Sequence, residues 1–485
     1  MILPGGGLMS SNNEKKTVGL PMALFTFVVV AVIMSVGLAI LKINTMVTFI
    51  LALFAVCVIA VCTGMSLEKL QDIILTGFKK FALIGMILIS VGMVVGSWMI
   101  SGIVPSIIYY GLKVFTPASF LAIGFIVCCI VSFFTGSSYA ALGTIGVAFM
   151  AIGYGMDIKP GLVAGMAVSG AIFGDKMSPF SDTTNMAPAA AGTGVFEHIK
   201  SMLWTITLPF ILSTILYFIM GIKHDAASAE SLQSITDIMG ALDETFHISV
   251  FLLIVPIFTI VLVAKKVPAM ISLMIGAFAG VIAALITQPQ FTFNEVVTSM
   301  STGFNGEFEN EAAAKLLNRG GISGMMSTIV YCIFTLELGE LMYEMGVLSA
   351  ILETFKEKIA KPCNLIIATL ISCLATVMLT TSQYMAILLP GEVFQNAYKK
   401  AGIAPYVLSR TLEDGGTIFS FLVPWSAAAI YTAGVLGVPT LSYLPYAFLP
   451  IICPICSVIC AITGIGVFDT GGKSLRGKML MKKAE

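Results

Sequence analysis

Long stretches without a charged residue limit the fold of this chain more than any other feature. A run of about 18 or more apolar residues can cross the hydrocarbon core of a bilayer as an α-helix. Only 11% of the 485 residues are charged, too few to cover the surface of a water-soluble protein of this size. We therefore predict an all-α, multi-pass membrane protein. The uncharged stretches are Met22–Leu41, Ile43–Leu67, Phe81–Leu112, Val114–Met156 and Ser201–Ile222.

The apolar segments predict about ten to twelve membrane crossings. Two stretches, 137–190 and 381–438, are apolar but interrupted by Gly, Pro, Ser and Thr. Broken helices at membrane depth are tolerated only where they are buried in protein or line a cavity. Functional residues are therefore expected in these two stretches. The unbroken predicted segments are 21–41, 46–63, 81–100, 119–136, 201–221, 247–264, 268–288, 321–343, 363–380 and 441–465.

Charged residues outside the apolar segments predict the orientation of the chain. Lys and Arg accumulate on the cytoplasmic side of membrane proteins, which places an N-terminal tail (1–20) and a C-terminal tail (467–485) in the cytoplasm. The acid-rich loops 223–246 and 289–319 are then predicted outside. Positive and negative residues number 26 each, which disfavours nucleic acid as a partner. The other residues predicted to be cytoplasmic are Lys69, Lys79, Lys80, Lys265, Lys266, Lys356, Lys358 and Lys361.

A weak internal repeat relates the two broken stretches. The segment TGSSY at 135–139 matches TTSQY at 380–384, and SPFS at 178–181 matches VPWS at 423–426. GAIF at 170–173 also matches GTIF at 416–419 if one residue is gapped. The charge distribution gives the two copies opposite orientations, which is typical of secondary transporters with a midplane substrate site. We predict a transporter domain at 21–466 that contains one repeat at about 81–221 and a second at about 321–465. The alternative explanation for the matching segments is chance similarity among apolar residues.

The most polar of the broken stretches reads GDKMSPFSDTTN at 174–185. It offers carboxylate, hydroxyl and amide oxygens, the ligands that hard cations such as Na⁺ prefer. A buried carboxylate favours its protonated form, so it can hold either a proton or a metal cation, which is a minimal mechanism for exchange. Lys176 would either lower the pKa of a neighbouring carboxylate or simply neutralise it. A polar surface turn is the alternative interpretation. The candidate cation and proton ligands are Asp175, Ser178, Asp182, Thr183 and Asn185, with Na⁺ on Asp175 and Asp182.

The corresponding stretch of the second copy, LSRTLEDGGT at 408–417, also carries charges. Arg410 is three and four residues from Glu413 and Asp414, a spacing that lets helical side chains meet. We expect an ion pair between Arg410 and one of these carboxylates. It either supports transport or is purely structural. Ser426 follows Pro424 at a second predicted helix break.

Further polar side chains lie within predicted spans. Glu337 and Glu340 share a helix face with Glu344; a carboxylate there relays protons, contacts a charged substrate or pairs with a neighbouring helix. Ser137 and Ser138 at the first break are either cation ligands or helix-packing residues. The histidines (His198, His224 and His247) lie near predicted span ends and are expected to be solvated.

At 174–185 the sequence resembles the NhaC-type sodium/proton antiporter family. The segments 408–417, 423–425 and 436–448 are similar to a second signature of that family, and the resemblance covers about Leu20 to Gly466. It implies exchange of Na⁺ or Li⁺ for H⁺ across a bacterial cytoplasmic membrane. It also implies that Asp175, Ser178, Asp182, Thr183 and Asn185 belong to the cation site.

Other interpretations remain for the substrate and the class of protein. Related family members carry organic acids or amino acids, so Na⁺-coupled transport of a small organic solute is the main alternative. An intramembrane aspartyl protease is disfavoured because Ile172 replaces the first Gly of the GxGD motif. A nucleotide site is disfavoured because Val467 replaces the first Gly of a P-loop. We expect no enzyme activity and no cofactor. The expected partners are transported ions, the lipid bilayer and, as an option, a second copy in a homodimer.

Overall fold

The chain folds into a bundle of α-helices, several of them interrupted, in a computed structural model. The structure describes residues 18–41, 43–225, 240, 242–265, 267–306, 317–318, 320–347, 350 and 361–476. Within these residues, 7 helices are long and apolar enough to cross a membrane, or 8 if one bent pair forms a single span. Five further apolar helices of 10–17 residues are shorter than this limit. The prediction of an all-α multi-pass membrane protein is confirmed.

The first half of the described chain runs from a short helix pair to the long helix α10. One π-helix, Val36–Ile40, continues α1, and a second, Leu142–Gly146, joins α6 to α7. The α-helices are α1 (Leu20–Ser35), α2 (Thr45–Cys62), α3 (Leu67–Ile100), α4 (Ile103–Val114), α5 (Pro117–Thr135), α6 (Ser138–Ala141), α7 (Val147–Gly155), α8 (Pro160–Met177), α9 (Asp182–Ala191) and α10 (Val195–Asp225).

The second half contains more interruptions. A 3-10 turn, Val250–Leu253, precedes α11, a π-helix, Glu413–Thr417, joins α17 to α18, and a 3-10 turn, Leu444–Tyr446, follows α20. The α-helices are α11 (Ile254–Ala264), α12 (Ala269–Thr287), α13 (Phe293–Thr302), α14 (Gly321–Glu344), α15 (Pro362–Thr380), α16 (Gln383–Ala401), α17 (Pro405–Leu412), α18 (Ile418–Ser420), α19 (Ala427–Leu436), α20 (Thr440–Tyr443) and α21 (Phe448–Thr463).

The helices pack in two groups. In one, the long helix α3 lies against α12, α13 and α14, and α14 also contacts α2. In the other, α5 packs on α8 and α10, while α15, α16 and α17 pack on one another and on α9. Helix α10 contacts α21, and α14 contacts α15 and α19. The second group contains both stretches that the sequence singled out.

The backbone repeats its local conformations at a constant spacing of 245 residues, as between Thr135 and Thr380. Both of these residues end a helix, both are followed by a residue of positive φ (65° at Gly136, 60° at Thr381), and in both copies a serine then caps the next helix. The further matched pairs are the N-terminal prolines Pro117 and Pro362, Pro160 and Pro405; the positive-φ residues Asp157 and Gly402, Gly192 and Gly437; and the N-caps Ser137 and Ser382, Ser181 and Ser426. This regularity supports the sequence repeat, whose opposite membrane orientations and outer limits stay predictions.

A π-helix explains the one-residue gap in the sequence repeat. The uninterrupted α8 corresponds to α17, the π-helix Glu413–Thr417 and α18. A π-turn accommodates one residue more than an α-turn. The inserted residue therefore shifts GTIF at 416–419 by one position relative to GAIF at 170–173. The constant spacing is recovered at Val423, which is the equivalent of Ser178.

Some predicted segments have different limits in the structure. The segment 81–100 is the second half of the 34-residue helix α3, whose first turns are amphipathic rather than apolar. The segment 441–465 is interrupted: α19 and the turn at Thr440–Tyr446 meet at 82°, and α21 follows. Proline at 439 and at 445 removes backbone donors on either side of this bend. Hydropathy alone does not detect a bend between apolar residues.

Parts of the predicted tails and loops lie outside the described residues. These are 1–17, 226–239, 307–316, 351–360 and 477–485, with Lys42, Ala241, Lys266, Arg319, Leu348 and Ser349. The beginning of the predicted C-terminal tail is described, and it docks onto the bundle: Asp469 forms a β-bridge with Ile403, and the Gly466 carbonyl accepts a hydrogen bond from Arg410.

Close contact between α5 and α8 depends on Gly174. A Cβ atom at this position would lie 2.4 Å from the Cys129 carbonyl oxygen and 2.4 Å from the Phe133 nitrogen, so the helices would have to separate. We predict that Gly174→Ala lowers stability by about 1–3 kcal/mol, measured as a lower thermal unfolding temperature in detergent. Gly324→Ala on α14 is the control, because a Cβ there meets no atom within 4 Å. Equal unfolding temperatures for the two variants would contradict the packing argument.

Candidate functional site

Two helix breaks of the first repeat meet and bring Asp175 against Ser138. The break after α5 lies against the break between α8 and α9, because a Cβ on Gly136 would be 2.8 Å from the Phe180 carbonyl carbon. Only a glycine allows this approach. Ser138 at the start of α6 then donates a hydrogen bond to Asp175 Oδ2 at 2.7 Å. The carboxylate is 4% exposed, so it lies within the protein at the junction of two helix ends.

Side chains of the polar stretch hold the break between α8 and α9 in place. Thr184 donates to the carbonyl oxygens of Asp175 and Lys176 at 3.1 and 3.0 Å. Asn185 Nδ2 donates to the carbonyls of Pro179 and Ser181 at 3.0 and 2.7 Å. Ser178 Oγ accepts from the Phe180 N–H at 3.2 Å. These bonds satisfy backbone groups that the break leaves free, so Ser178 and Asn185 already have a structural role, and their role as cation ligands stays a prediction.

Asp182 occupies a different position from Asp175, although the two were predicted to share a site. It is the first residue of α9, is exposed, and lines a cavity of about 540 Å³ together with Ser137 and Tyr384. Asp175 and Asp182 both lie near the Tyr384 hydroxyl, and near each other. The Asp182 carboxylate is therefore open to the cavity, whereas Asp175 is buried near it and is not part of the cavity lining.

The described lining of this cavity is acidic. Among the described residues that line it, Asp182 is the only ionisable side chain other than tyrosine, and Lys, Arg and His are absent. Carbonyls at the α5 break and hydroxyls of Thr135 and Ser137 add further oxygen atoms. Ser137 Oγ accepts the Ala140 N–H at 3.2 Å as an N-cap, and retains a lone pair that faces the same region. A cavity of this composition attracts cations.

Lys176 and Asp414 form a buried ion pair between the two repeats. Lys176 Nζ is 2.5 Å from Asp414 Oδ1, and both side chains are fully buried. Thr205 of α10 donates to the same oxygen at 3.1 Å. Lys176 therefore neutralises a carboxylate, as its sequence position suggested, but the carboxylate is 238 residues away rather than in its own motif.

The predicted ion pair within 410–414 is wrong. Arg410 donates to the carbonyl oxygens of Ser201 and Gly466, at 3.3 and 2.8 Å, and forms no ion pair with Glu413 or Asp414. Asp414 pairs with Lys176 instead, while Glu413 accepts a short hydrogen bond from Thr417. The reason is that Glu413 begins a π-helix, which changes the angular spacing that the prediction assumed.

Several buried polar groups in this region were missed or misjudged from sequence. His198 was expected to be solvated but is fully buried, with its Nδ1 2.7 Å from Ser409 Oγ. Ser181 and Thr183 share a hydrogen bond of 3.0 Å between their hydroxyls. Nothing in one sequence marks Thr205, since it is a single hydroxyl in an apolar span.

The second repeat contains a mirror of the Ser138–Asp175 contact. Ser420 and Gln383 lie 245 residues after Asp175 and Ser138, although Ser420 falls where the π-helix shifts the register of the repeat by one residue. Ser420 Oγ donates to Gln383 Oε1 at 3.3 Å, so the donor and acceptor are exchanged and no carboxylate is present. Ser426 caps α19 by accepting the Ala429 N–H at 3.1 Å and donates to the Ser420 carbonyl. Of these two hydrogen bonds only the one in the first repeat contains a carboxylate, and Ser426 stabilises the second break.

Glu337 and Glu340 lie in the other helix group, on α14. Glu340 pairs with Lys80 of α3, which also lies 5.9 Å from the ring centre of Tyr343. Of the roles predicted for these glutamates, pairing with a neighbouring helix is therefore the one observed for Glu340. The Glu337 backbone packs on Gly77 of α3, and its side chain is 7% exposed. The structure does not bring either glutamate together with Asp175.

Comparison with known proteins assigns the chain to a family. The profile of the Na⁺/H⁺ antiporter family matches residues 16–184 and 170–465. The chain belongs to this family. Membership and the membrane-length helices make it a multi-pass transport protein of the bacterial cytoplasmic membrane, as the resemblance at 174–185 implied.

Three relatives show how far activities vary in this family. The chain is 35% identical over 454 residues to the Na(+)/H(+) antiporter NhaC of Alkalihalophilus pseudofirmus, over 94% of this chain and 97% of that protein. It is 35% identical to the Malate-2H(+)/Na(+)-lactate antiporter of Bacillus subtilis, over 88% and 91%. It is 32% identical to the Arginine/ornithine antiporter ArcD of Halobacterium salinarum, over 78% of each.

No group of three His, Cys, Asp or Glu side chains suited to a tightly held metal ion occurs in the described part of the chain. The ten cysteines all lie within it and are free, and eight of them are buried. Ordinary apolar packing accounts for such cysteines.

The Lys176–Asp414 pair should be essential for stability. Removing one partner of a buried ion pair strands the other charge and costs about 3–5 kcal/mol. We predict that Lys176→Met lowers the unfolding temperature strongly, and that the double variant Lys176→Met/Asp414→Leu recovers much of the loss. Lys80→Met is the control and should cost far less, because the Lys80 side chain is 45% exposed. An Asp414→Leu change that fails to rescue Lys176→Met would show that the pair is not the source of the effect.

Proposed function

We propose that this protein exchanges Na⁺ or Li⁺ for H⁺ across the cytoplasmic membrane, and that Asp175 and Asp182 bind the cation. The observation that carries the proposal is the cavity of negative charge in which Asp182 stands in front of the buried Asp175. Family membership supports it, since relatives along nearly the full length of the chain are named Na⁺/H⁺ antiporters.

Exchange follows from competition at this carboxylate pair. A cation entering the cavity meets Asp182 first, and then the Asp175 carboxylate, whose second oxygen accepts the Ser138 hydrogen bond. Burial disfavours a bare carboxylate, so the sealed site is occupied either by a metal cation or by a proton. Because the empty, charged state is the costly one, each ion leaves when the other replaces it. The helix breaks supply joints at which one part of the helix bundle moves against the rest.

Na⁺-coupled transport of an organic solute is the second candidate. The cavity volume of about 540 Å³ falls within the range of small-molecule sites. An organic anion would need a cationic partner, which the described lining does not provide, whereas the ammonium group of an amino acid would complement Asp182. The relatives named for arginine/ornithine and malate/lactate exchange keep this candidate open.

The two candidates differ in whether an organic solute is required. In proteoliposomes that contain the purified protein and an internal pH-sensitive dye, we predict that added Na⁺ or Li⁺ changes the internal pH and that K⁺ does not. Protein-free liposomes are the control. A pH change that requires malate, lactate or an amino acid would replace the proposal with the second candidate.

Loss of either carboxylate should abolish exchange without preventing folding. Even residues that merely orient metal ligands change affinity by about 10–100-fold, so we expect Asp175→Asn and Asp182→Asn to lower Na⁺-driven proton movement by at least that factor. Asp157→Asn is the matched control: Asp157 is exposed, has a φ of 54°, and asparagine tolerates this conformation. Normal exchange by both site variants would refute the assignment.

A further inference from the structure

Two tyrosines that the internal repeat relates to each other line the same cavity. Tyr139 and Tyr384 are 245 residues apart, which is the constant spacing of the repeat. Each is the second residue of its helix, α6 or α16, and follows a serine N-cap, Ser137 or Ser382. Both tyrosines line the cavity of about 540 Å³ that contains Asp182. The acidic cavity therefore lies where corresponding parts of the two repeats meet.

The two tyrosine side chains have different surroundings. The Tyr139 ring packs on the rings of Tyr431 and Phe421, with ring centres 4.6 and 6.0 Å apart. The Tyr431 hydroxyl also donates to the Tyr139 carbonyl oxygen at 2.8 Å. These contacts fix Tyr139 as part of the cavity wall. The Tyr384 side chain is 37% exposed, so it is the tyrosine that can adjust its position to an occupant of the cavity.

The second repeat reaches this cavity through Tyr384 alone among the described lining residues. The others belong to α3, to the two breaks of the first repeat and to the facing ends of α11 and α12. Helix α16, which begins one residue before Tyr384, packs on α9, which begins with Asp182. The Tyr384 hydroxyl lies near both Asp182 and Asp175. Packing of α16 on α9 thus brings a phenol of one repeat to the carboxylates of the other.

A phenol oxygen suits this position chemically. Hard cations are held by several oxygen ligands, in which carboxylates are combined with neutral oxygens such as carbonyls and water. A tyrosine hydroxyl keeps lone pairs that can face a cation. Two carboxylates already exceed the charge of one monovalent cation, so any further ligand is favoured if it is neutral. Ion sites of transporters built from repeats also lie at the interface between the repeats.

We propose that the Tyr384 hydroxyl is a ligand of the transported Na⁺ or Li⁺, so that the cation site is shared between the repeats. The first repeat supplies the carboxylates Asp175 and Asp182, and the second supplies a neutral oxygen. The inference rests on the proposed cation site and adds to it a residue from the other repeat. A cation in the cavity then links the beginning of α9 to the beginning of α16.

Na⁺ binding can be measured without transport. A ligand that binds the folded state raises the unfolding temperature, so Na⁺ is titrated in detergent while choline keeps the ionic strength constant. Tyr384→Phe removes the hydroxyl and keeps the ring. Residues that only orient a metal ligand change affinity by about 10–100-fold, so we expect the half-maximal Na⁺ concentration to rise by at least about tenfold. The KM for Na⁺-driven proton movement in proteoliposomes should rise equally, with little change in the rate at saturating Na⁺.

Tyr331→Phe on α14 is the matched control. Tyr331 is half-buried and lines a separate cavity of about 700 Å³, so its variant should keep the wild-type Na⁺ dependence. Tyr384→Leu removes both ring and hydroxyl. Wild-type Na⁺ dependence of Tyr384→Phe would overturn the inference even if Tyr384→Leu is impaired, because the ring would then only shape the cavity or stack on an organic ammonium ion.

A third substitution tests the ligand even if Tyr384→Phe does not fold. Tyr384→Gln supplies a neutral amide oxygen at the same position. We expect it to recover part of the Na⁺ affinity that Tyr384→Leu loses. Equal Na⁺ dependence of the Gln and Leu variants would contradict a role for an oxygen atom at this position.

The inference and the proposed function fail in different ways. If Tyr384→Phe weakens stabilisation by Na⁺ but the wild-type protein shows no Na⁺-driven proton movement, Tyr384 remains a cation ligand and Na⁺/H⁺ exchange is refuted. If the wild type and Tyr384→Phe drive proton movement with equal KM for Na⁺, exchange stands and Tyr384 is removed from the site. A wild-type unfolding temperature that does not respond to Na⁺ would overturn the shared site.

Discussion

The organisation of this protein depends on the cost of leaving backbone polar groups unpaired inside a membrane. A helix satisfies its own N–H and C=O groups, so each interruption must be compensated by nearby polar side chains. The breaks after α5 and α8 are compensated by Ser137, Thr184 and Asn185, and those after α15 and α18 by serine N-caps. Since these polar side chains must cluster where helices break, the same constraint that permits the breaks also assembles oxygen atoms at membrane depth.

Buried charge links the breaks to each other. Lys176 follows Asp175 in the chain, yet it neutralises Asp414 of the second repeat, while Asp175 remains at the cavity with Asp182. A movement that separates the repeats would have to break the Lys176–Asp414 pair or carry both residues together. Because stranding either charge is expensive, we infer that α8 and the helix containing Asp414 move as one body.

The two repeats share a backbone but differ in charge. At equivalent positions the first has Ser138 and Asp175, and the second has Gln383 and Ser420, so the same hydrogen bond occurs with and without a carboxylate. The two repeats therefore have matching backbone conformations, and the difference between them lies in their side chains. Only the first repeat presents an acidic residue to the cavity, which accords with a single cation pathway.

The sequence by itself determined the all-α membrane fold, the stretches that contain the breaks and the concentration of polar side chains at 174–185, because these follow from local composition: apolar length, helix-breaking residues and the density of polar groups. Tertiary structure decided the partners. Arg410 was expected to pair within its own helix but contacts Ser201 and Gly466, and Lys176 reaches Asp414 across 238 residues. His198 was expected in water and lies buried against Ser409. Helical spacing predicts neighbours along one helix, whereas a buried charge is compensated by whichever group packing brings within reach, and that depends on how distant helices are arranged.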